Sequence, residues 1–216
     1  MNFTAADVKN LREKTGAGMM KCKEALKECD GNVETAVDYL RKKGLAAAEK
    51  KQSRVAAEGT VGSYVHNGKI GVLVEVNCET DFVAKNEDFQ GFVKDVALHV
   101  AAASPKFLKA DEMDSSYMEK EAEIYIAQLK DEGKPEKIIP KIVEGKMKKL
   151  ASEVCLLEQS FIKNPDVKVG ELVSELTLKL GEKIEIRRFV KYNLGEGIEK
   201  RQDNLADEVA KLSGKQ

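Results

Sequence analysis

Val72 to Phe89, reading VLVEVNCETDFVAKNEDF, joins a strand pattern to a helical pattern. Valines at every second position predict a strand that ends at Asn77 and has one apolar face: Val72, Val74 and Val76. Thr80 and Asp81 are good N-cap residues, because a side-chain oxygen there can accept a hydrogen bond from the first turn of a helix. The stretch therefore predicts a strand followed directly by a helix.

Phe82 falls in the first turn of that predicted helix, where side chains usually lie near solvent. A large aromatic ring at such a corner either packs back onto the sheet or is presented to a partner. The residue alone favours packing, although a single exposed apolar residue is normal in a folded protein.

The neighbouring segments also show the period of two that is typical of strands. Thr60 to His66 and Lys69 to Asn77 flank Asn67-Gly68, which suits a type I′ hairpin turn because both residues tolerate positive φ. Lys183 to Tyr192 predicts a third strand with these side chains on one face: Ile184, Ile186, Val190 and Tyr192. Together with the helices below, the pattern predicts an α+β core in which a three-stranded antiparallel sheet packs with helices.

Three short helices are predicted ahead of the sheet, and they resemble a ubiquitin-associated-type (UBA-like) bundle. Thr4 and Asp7 form an approximate capping box for the first helix, which ends at Gly16. The second spans Met19 to Glu28, with inward residues Met20, Cys22, Ala25 and Leu26. The third begins after Asn32 and ends at Gly44. Leu45 to Arg54, rich in alanine and lysine, predicts a helical linker.

Four more helices are predicted after the hairpin. One continues from Asp81 to about Ala103, where Ser104-Pro105 ends it. The others are predicted over Ser116–Lys130, over Pro135–Leu150 with a restart at Pro140, and over Val169–Leu180. Ile198 to Leu212 further predicts a terminal amphipathic helix.

The composition limits the possible partners. The chain has 216 residues, enough for one or two domains with an ordinary buried core. Charged residues make up 34% and nearly cancel to a formal net charge of -1, which argues against a general nucleic-acid binder. No apolar run approaches the ~20 residues that span a bilayer, and the N-terminus lacks a targeting pattern. We therefore expect a cytoplasmic protein that binds neither nucleic acid directly nor membranes.

The cysteines and histidines do not predict a metal site. The four cysteines contain no Cys-x-x-Cys pair, and reduced thiols are expected. Cys22 and Cys29 are more often a buried apolar pair than metal ligands. His66 and His99 lie in different segments, so no zinc site can be assembled.

A nucleotide or catalytic site is not predicted either. Gly68-Lys69-Ile70 and Gly145-Lys146-Met147 lack the glycine spacing and the following Ser or Thr of a phosphate-binding loop. We therefore expect no cofactor. One enzyme hypothesis stays open: Glu79 and Asp81 could act as the carboxylates of a hydrolase if they faced each other in a closed cleft.

Four motifs resemble the bacterial elongation factor Ts family. The first is Thr80-Asp81-Phe82-Val83 within Val74 to Glu87, and the second is Leu11 to Met20, reading LREKTGAGMM. The third and fourth are Val143-Glu144-Gly145-Lys146-Met147 and Gly195 to Lys200. They occur in the family's order and cover nearly the whole chain.

The resemblance implies a nucleotide-exchange factor for the GTPase elongation factor Tu, in its GDP-bound and nucleotide-free forms, without covalent chemistry. By resemblance, the segment Thr80, Asp81, Phe82 and Val83 displaces Mg²⁺ from the GTPase. Phe82 would insert between helices of the nucleotide domain, and Asp81 would hold the insertion through polar contacts. Further partner-binding positions implied by the family are Arg12, Met19, Met20, Lys23 and Ile198. A buried position in the bundle is the alternative for Met19 and Met20.

The long form of the family has two core subdomains and a coiled-coil insertion, whereas this sequence predicts one core unit and no insertion. We expect four parts: a UBA-like bundle (1–45), a helical linker (46–55), an α+β core (56–197) and a C-terminal helical module (198–216). The short form implies a homodimer, for which the strand from Lys183 to Tyr192 offers a surface with Arg187, Arg188 and Phe189. The alternative function is a non-catalytic adaptor that uses the bundle to bind a partner.

Overall fold

The structure is a computed structural model that describes residues 3–198. Its elements in chain order are α1 (Ala5–Thr15), α2 (Met19–Glu28), α3 (Val33–Lys51), β1 (Glu58–His66), β2 (Ile70–Cys78), α4 (Asp81–Ala84), α5 (Glu87–Ala103), α6 (Ser115–Asp131), α7 (Ile139–Val154), β3 (Ser160–Phe161), β4 (Asn164–Lys168), α8 (Val169–Leu180) and β5 (Glu185–Asn193). Short 3-10 turns lie at Ala110–Glu112 and Leu156–Glu158.

The first three helices form the predicted bundle. At the start of α1 the Asp7 carboxylate accepts a hydrogen bond from the Thr4 N–H at 2.7 Å, and Thr4 Oγ1 accepts from the Asp7 N–H at 3.3 Å. This capping box confirms the predicted helix start. The bundle has its own apolar core: Val8, Leu11, Ala17, Cys22, Ala25, Leu26, Ala36 and Leu40.

The sequence predicted that the third helix ends at Gly44, but it does not end there. It runs on through the predicted linker to Lys51. A glycine inside a helix costs only about 1 kcal/mol relative to alanine, and the residues that follow favour a helix. A Cβ on Gly44 would lie 3.5 Å from Leu178 Cδ2, an ordinary van der Waals contact, so α3 packs beside α8 at this point. The linker is thus largely the end of α3.

The three-stranded antiparallel sheet has the order β1-β2-β5. Asn67 and Gly68 have φ of +48° and +67°, the left-handed backbone that a type I′ turn requires at both positions. The inner face of β2 packs against α5, which also contacts α8. The core residues there include Val72, Val74, Val76, Phe89, Val93, Val96, Val100, Leu176 and Ile186. The predicted α+β architecture is confirmed.

Strand β5 differs from its predicted face pattern. Val76 pairs with Ile186 and Glu75 with Arg188, so one extra residue is inserted between them as a β-bulge. After Ile186, the bulge reverses which β5 side chains face the core. Phe189 therefore packs against the core, whereas Val190 and Tyr192 lie on the outer face. The prediction that Ile184, Ile186, Val190 and Tyr192 share one face is wrong for this reason.

The helix predicted from Asp81 to Ala103 is two helices. The short helix α4 ends at Ala84, and Asn86 caps α5 by accepting hydrogen bonds from the N–H groups of Asp88 and Phe89. An asparagine that caps a helix competes with continuation of the preceding one.

Helices α6 and α7 pack against each other as a helical hairpin with a small apolar cluster, which contains Leu129, Ile139 and Val143. Pro140 lies in the first turn of α7, as the predicted restart requires. The expectation that the chain lacks the family's coiled-coil insertion stays a prediction. The sequence predicted both helices but gave no signal that they pack together.

His99 connects α5 to the β3–β4 hairpin from a fully buried position. Its Nδ1 accepts a hydrogen bond from the Ile162 N–H at 3.3 Å, so Nε2 carries the proton and donates to Gln159 Oε1 at 2.9 Å. Burial lowers the pKa of His99, and the Gln159 hydrogen bond opposes this in part. The ring is therefore neutral in the folded protein at pH 7.

Acid should weaken the fold through His99. Its folded pKa lies below the unfolded value of about 6.5, so below pH 6.5 the unfolded chain binds a proton that the folded chain excludes. Stability is complete above about pH 6.5 and falls by up to about 1.4 kcal/mol per pH unit below it, until the folded pKa is reached. Urea unfolding at about pH 7.5 and 5.5 should show a larger loss for the natural protein than for His99→Gln. Equal losses would contradict this assignment.

Candidate functional site

The segment Thr80–Val83 forms the corner between β2 and α4. Thr80 has an extended backbone, and its Oγ1 accepts a hydrogen bond from the Val83 N–H at 3.4 Å, which makes it the predicted N-cap. Cys78 Sγ donates to the Thr80 carbonyl oxygen at 3.1 Å. The segment therefore leaves the sheet in one defined direction.

Phe82 points away from the protein, with 81% of the residue exposed. The two residues that follow turn inward: Val83 packs against the core over the sheet, and Ala84 belongs to it. The interpretation that the Phe82 ring packs back onto the sheet is therefore wrong. A single aromatic ring is held outward on a helix that its neighbours anchor.

The carboxylates near this corner do not form a catalytic pair. Asp81 accepts a hydrogen bond from Lys85 Nζ at 2.8 Å, and this bond lowers the pKa of Asp81. Glu79 accepts from the Lys183 N–H at 2.6 Å, which lowers its pKa as well, and Arg54 lies 3.3 Å away. A general acid at neutral pH needs a raised pKa and a facing partner. Both carboxylates are held ionised by different neighbours, which argues against the hydrolase hypothesis.

The residues predicted on the bundle are all exposed. Met19 and Met20 are 46% and 76% exposed at the start of α2, so the prediction that Met20 points inward is wrong. Gly18 is the N-cap of α2 and has an extended backbone. Both methionines lie in the first turn of α2, at the surface. Arg12 and Lys23 are exposed on α1 and α2. All four lie on α1 and α2, elements other than the Thr80–Val83 corner.

Ile198 is 72% exposed and follows a turn in which Gly195 and Gly197 have positive φ. The rest of the helix predicted from Ile198 to Leu212 lies outside the described residues.

Comparisons with known proteins agree on one family. The family model named Elongation factor TS matches residues 24–196. A protein named Elongation factor Ts from Alkaliphilus metalliredigens is 58% identical over 215 residues, covering 100% of both chains. The chain belongs to the elongation factor Ts family. Proteins of the same name from Alkaliphilus oremlandii and Geotalea daltonii are each 59% identical and cover at least 98% of both chains.

In this family member, the two glycine–lysine motifs considered for phosphate binding lie in regular structure. Gly68-Lys69 belongs to the β1–β2 turn, and Gly145-Lys146 lies inside α7. Neither forms a loop whose N–H groups could wrap a phosphate. Among residues 3–198, no three His, Cys, Asp or Glu side chains are grouped so that they could hold a metal ion.

The described part of the chain also contains no helix with the length and apolar character needed to cross a bilayer.

Within residues 3–198, the outer face of the sheet carries exposed apolar side chains. Cross-strand pairing places Val61, Glu75 and Arg188 in one row, Ser63, Leu73 and Val190 in the next, and Val65, Gly71 and Tyr192 in the third. The apolar members of these rows are 37% to 69% exposed, and we call them the outer sheet face: Val61, Val65, Leu73, Val190 and Tyr192. At one end of the outer sheet face, Arg187 and Arg188 form ion pairs with Glu75 at 2.8 and 2.6 Å.

Sequence analysis missed one residue at the Thr80–Val83 corner. Glu182, in the turn between α8 and β5, contacts Glu79 and Thr80 from 102 or 103 positions away in the chain. No local signal could have identified it, because a charged residue after a helix-ending glycine is common in turns. Only the pairing of β5 with β2 brings the two segments together.

Proposed function

We infer that this chain is a nucleotide-exchange factor for the GTPase elongation factor Tu. The observation that carries this function is full-length similarity, at 58% identity over 100% of both chains, to a protein named Elongation factor Ts. The chain binds the GTPase and promotes release of GDP, so that GTP can follow. It performs no covalent chemistry.

Exchange of this kind is a matter of coupled binding. A factor that binds the nucleotide-free GTPase more tightly than the loaded form must, by reciprocity, weaken the binding of the nucleotide. Each tenfold weakening requires about 1.4 kcal/mol of contact energy that is present only in the nucleotide-free complex. The interacting groups must therefore be exposed before binding and buried afterwards.

We assign this role first to Thr80, Asp81, Phe82 and Val83. Phe82 has the required exposure, and burying a phenylalanine side chain contributes about 1.5–3 kcal/mol. Inserted between helices of the partner's nucleotide domain, the ring shifts the groups that hold Mg²⁺, so the phosphate charge is no longer neutralised and GDP is released. Asp81, ionised and at the surface, supplies polar contacts beside the ring.

One ring cannot provide all of the coupling, so further contacts are needed. We assign them to Arg12, Met19, Met20 and Lys23 on the bundle and to Ile198 after β5. Exposed methionines adapt to irregular apolar surfaces, and the two cations can pair with acidic groups of a partner. These residues dock the factor on the GTPase while Phe82 acts on the nucleotide site.

Release of a fluorescent GDP analogue from elongation factor Tu tests the function. Excess unlabelled GDP prevents rebinding, and stopped-flow fluorescence follows release at increasing concentrations of this chain. We expect release to accelerate with concentration toward a maximum. Binding without acceleration would instead indicate the adaptor function.

We also propose that the bundle (1–45) and the core (56–197) are separate domains joined by 46–55 and followed by the module 198–216. Each has its own apolar cluster. Polar contacts join the two parts, among them Lys21 Nζ to the Leu178 carbonyl oxygen at 2.9 Å and the ion pair between Arg41 and Glu171.

We propose, further, that two copies associate through the outer sheet face. Five apolar side chains share this face, and a monomeric protein rarely leaves a large contiguous apolar patch in water. Two sheets can pack face to face about 10 Å apart with such side chains between them. Strand β5 contributes Val190 and Tyr192 to this face. The sequence instead suggested Arg187, Arg188 and Phe189, but Phe189 faces the core and cannot take part.

Replacing Leu73 in the middle row with glutamate should convert the dimer into a monomer. Ile124→Glu on α6 is a matched control, since Ile124 is 49% and Leu73 47% exposed. Light scattering coupled to gel filtration should give twice the chain mass for the natural protein and the control, and a single chain mass for Leu73→Glu. A natural protein that is monomeric at micromolar concentration would contradict the proposal.

A further inference from the structure

The turn that follows α8 reaches back to the Thr80–Val83 corner. Gly181 ends α8 with φ of +79°, and the next residue, Glu182, turns its side chain toward the end of β2. Its Oε2 accepts hydrogen bonds from the N–H groups of Glu79 and Thr80 at 3.2 and 3.0 Å. Its Oε1 accepts from Thr80 Oγ1 at 2.7 Å. One carboxylate thus binds three donors of the segment that leads to Phe82.

These bonds also orient the Thr80 hydroxyl group. A hydroxyl has one proton to donate and can still accept through its lone pairs. Because that proton points to Glu182, Thr80 Oγ1 is free to accept from the Val83 N–H at 3.4 Å. Glu182 therefore supports the cap of α4 through Thr80.

A second contact runs in the opposite direction. Glu79 Oε1 accepts a hydrogen bond from the Lys183 N–H at 2.6 Å, so each segment binds a backbone N–H of the other through a carboxylate. Lys183 Nζ donates to the Arg54 carbonyl oxygen at 3.2 Å, and Lys51 at the end of α3 donates to the Gly181 carbonyl oxygen. The turn is thus held from both sides.

Helix α4 needs such support. It spans only Asp81–Ala84, and a helix of one turn is unstable without tertiary contacts. An exposed ring has no packing of its own to fix its direction. A segment already held in the bound geometry avoids the cost of ordering when it binds.

We propose that Glu182 is a positioning residue for nucleotide exchange, which holds Thr80 and thereby the direction in which Phe82 is presented. The proposal rests on the exchange function and on the role of Phe82 given above. Glu182 acts through Thr80 and does not itself touch the GTPase. Its loss should affect the step in which the ring is inserted and leave docking through the bundle unchanged.

Stopped-flow GDP release separates these two steps. For Glu182→Ala we expect the maximal release rate to fall by about tenfold, while the concentration for half-maximal acceleration stays within about twofold. For Glu182→Gln, which keeps the side-chain shape and one acceptor oxygen, the maximal release rate should fall less than for Glu182→Ala. The control is Glu185→Gln: Glu185 pairs with Lys183 at 2.8 Å in the same region and makes no hydrogen bond to the Glu79 or Thr80 amide, so its rate should not change.

A double-mutant comparison distinguishes positioning from a general loss of structure. In a Phe82→Ala background, adding Glu182→Ala should lower the rate by less than about twofold, because no ring remains to be positioned. Hydrogen exchange of the Thr80 amide should be faster in Glu182→Ala than in the natural protein. Thermal unfolding and circular dichroism confirm that each variant is folded at the assay temperature, with Glu182→Gln used if Glu182→Ala is not.

Three results would overturn the proposal. If Phe82→Ala accelerates GDP release only weakly while the Glu182 variants accelerate it as much as the natural chain, the positioning role is wrong and the exchange function stands. If the two substitutions reduce the rate independently, Glu182 acts on something other than the ring. If the natural protein does not accelerate release at all, both the exchange function and the positioning role fail.

Discussion

Phe82→Ala should lower the acceleration of GDP release from elongation factor Tu by about ten- to hundredfold. The ring is 81% exposed in the free protein, so it can contribute its apolar surface only by burial against a partner. Burial of a phenylalanine side chain is worth about 1.5–3 kcal/mol, and every 1.4 kcal/mol changes a rate or equilibrium constant about tenfold. The measurement is stopped-flow release of fluorescent GDP, with the second-order rate constant compared between the two proteins.

The fold of the Phe82→Ala protein should be unchanged. An exposed side chain makes few contacts to lose, and surface substitutions usually alter the free energy of unfolding by less than about 0.5 kcal/mol. Phe82→Leu serves as a size control, because it keeps an apolar group at the same position and should retain part of the activity. If Phe82→Ala is folded and accelerates GDP release from elongation factor Tu as much as the natural chain does, the ring has no part in the mechanism.

Phe89→Ala should have the opposite profile, with a loss of about 3–5 kcal/mol in the free energy of unfolding. Phe89 is fully buried, seven positions after Phe82, in the first turn of α5 beneath the sheet. Removing its ring leaves a cavity among well-packed neighbours, which relax only partly. Since a domain is stable by only about 5–15 kcal/mol, this is a large fraction of the total.

Urea unfolding followed by circular dichroism measures the effect, and Phe82→Ala is the matched control for the same substitution at an exposed site. The Phe89→Ala midpoint should shift strongly while that of Phe82→Ala stays close to the natural protein. Similar midpoints for the two variants would contradict the assignment of one ring to the core and the other to the surface.

Much of this fold could be predicted from local patterns. The Asn67-Gly68 turn, the Thr4 and Thr80 caps and the helix Val169–Leu180 were all predicted where the structure has them, because each depends on a few neighbouring residues. A type I′ turn needs two residues that tolerate positive φ, and an N-cap needs a side-chain oxygen at one position. Such signals are complete within a short stretch of sequence.

The features that sequence could not predict depend on distant contacts. The β-bulge beside Ile186 arises in the pairing with Glu75 and Val76, and it moves Phe189 inward and Tyr192 outward. Helix α3 continues past Gly44 to Lys51 and packs beside Leu178 of α8. The same limit applies at the candidate site: local sequence located the Thr80–Val83 corner, but neither the exposure of Phe82 nor the contact with Glu182 could be inferred from neighbouring residues.

The central claim is that the exposed Phe82 ring makes the chain prefer the nucleotide-free GTPase. It is tested most directly by measuring the affinity of the natural chain and of Phe82→Ala for elongation factor Tu, once without nucleotide and once loaded with GDP and Mg²⁺. We predict that the natural chain binds the nucleotide-free form far more tightly, and that Phe82→Ala reduces the ratio of the two affinities by about ten- to hundredfold. An unchanged ratio in the Phe82→Ala protein would contradict the account.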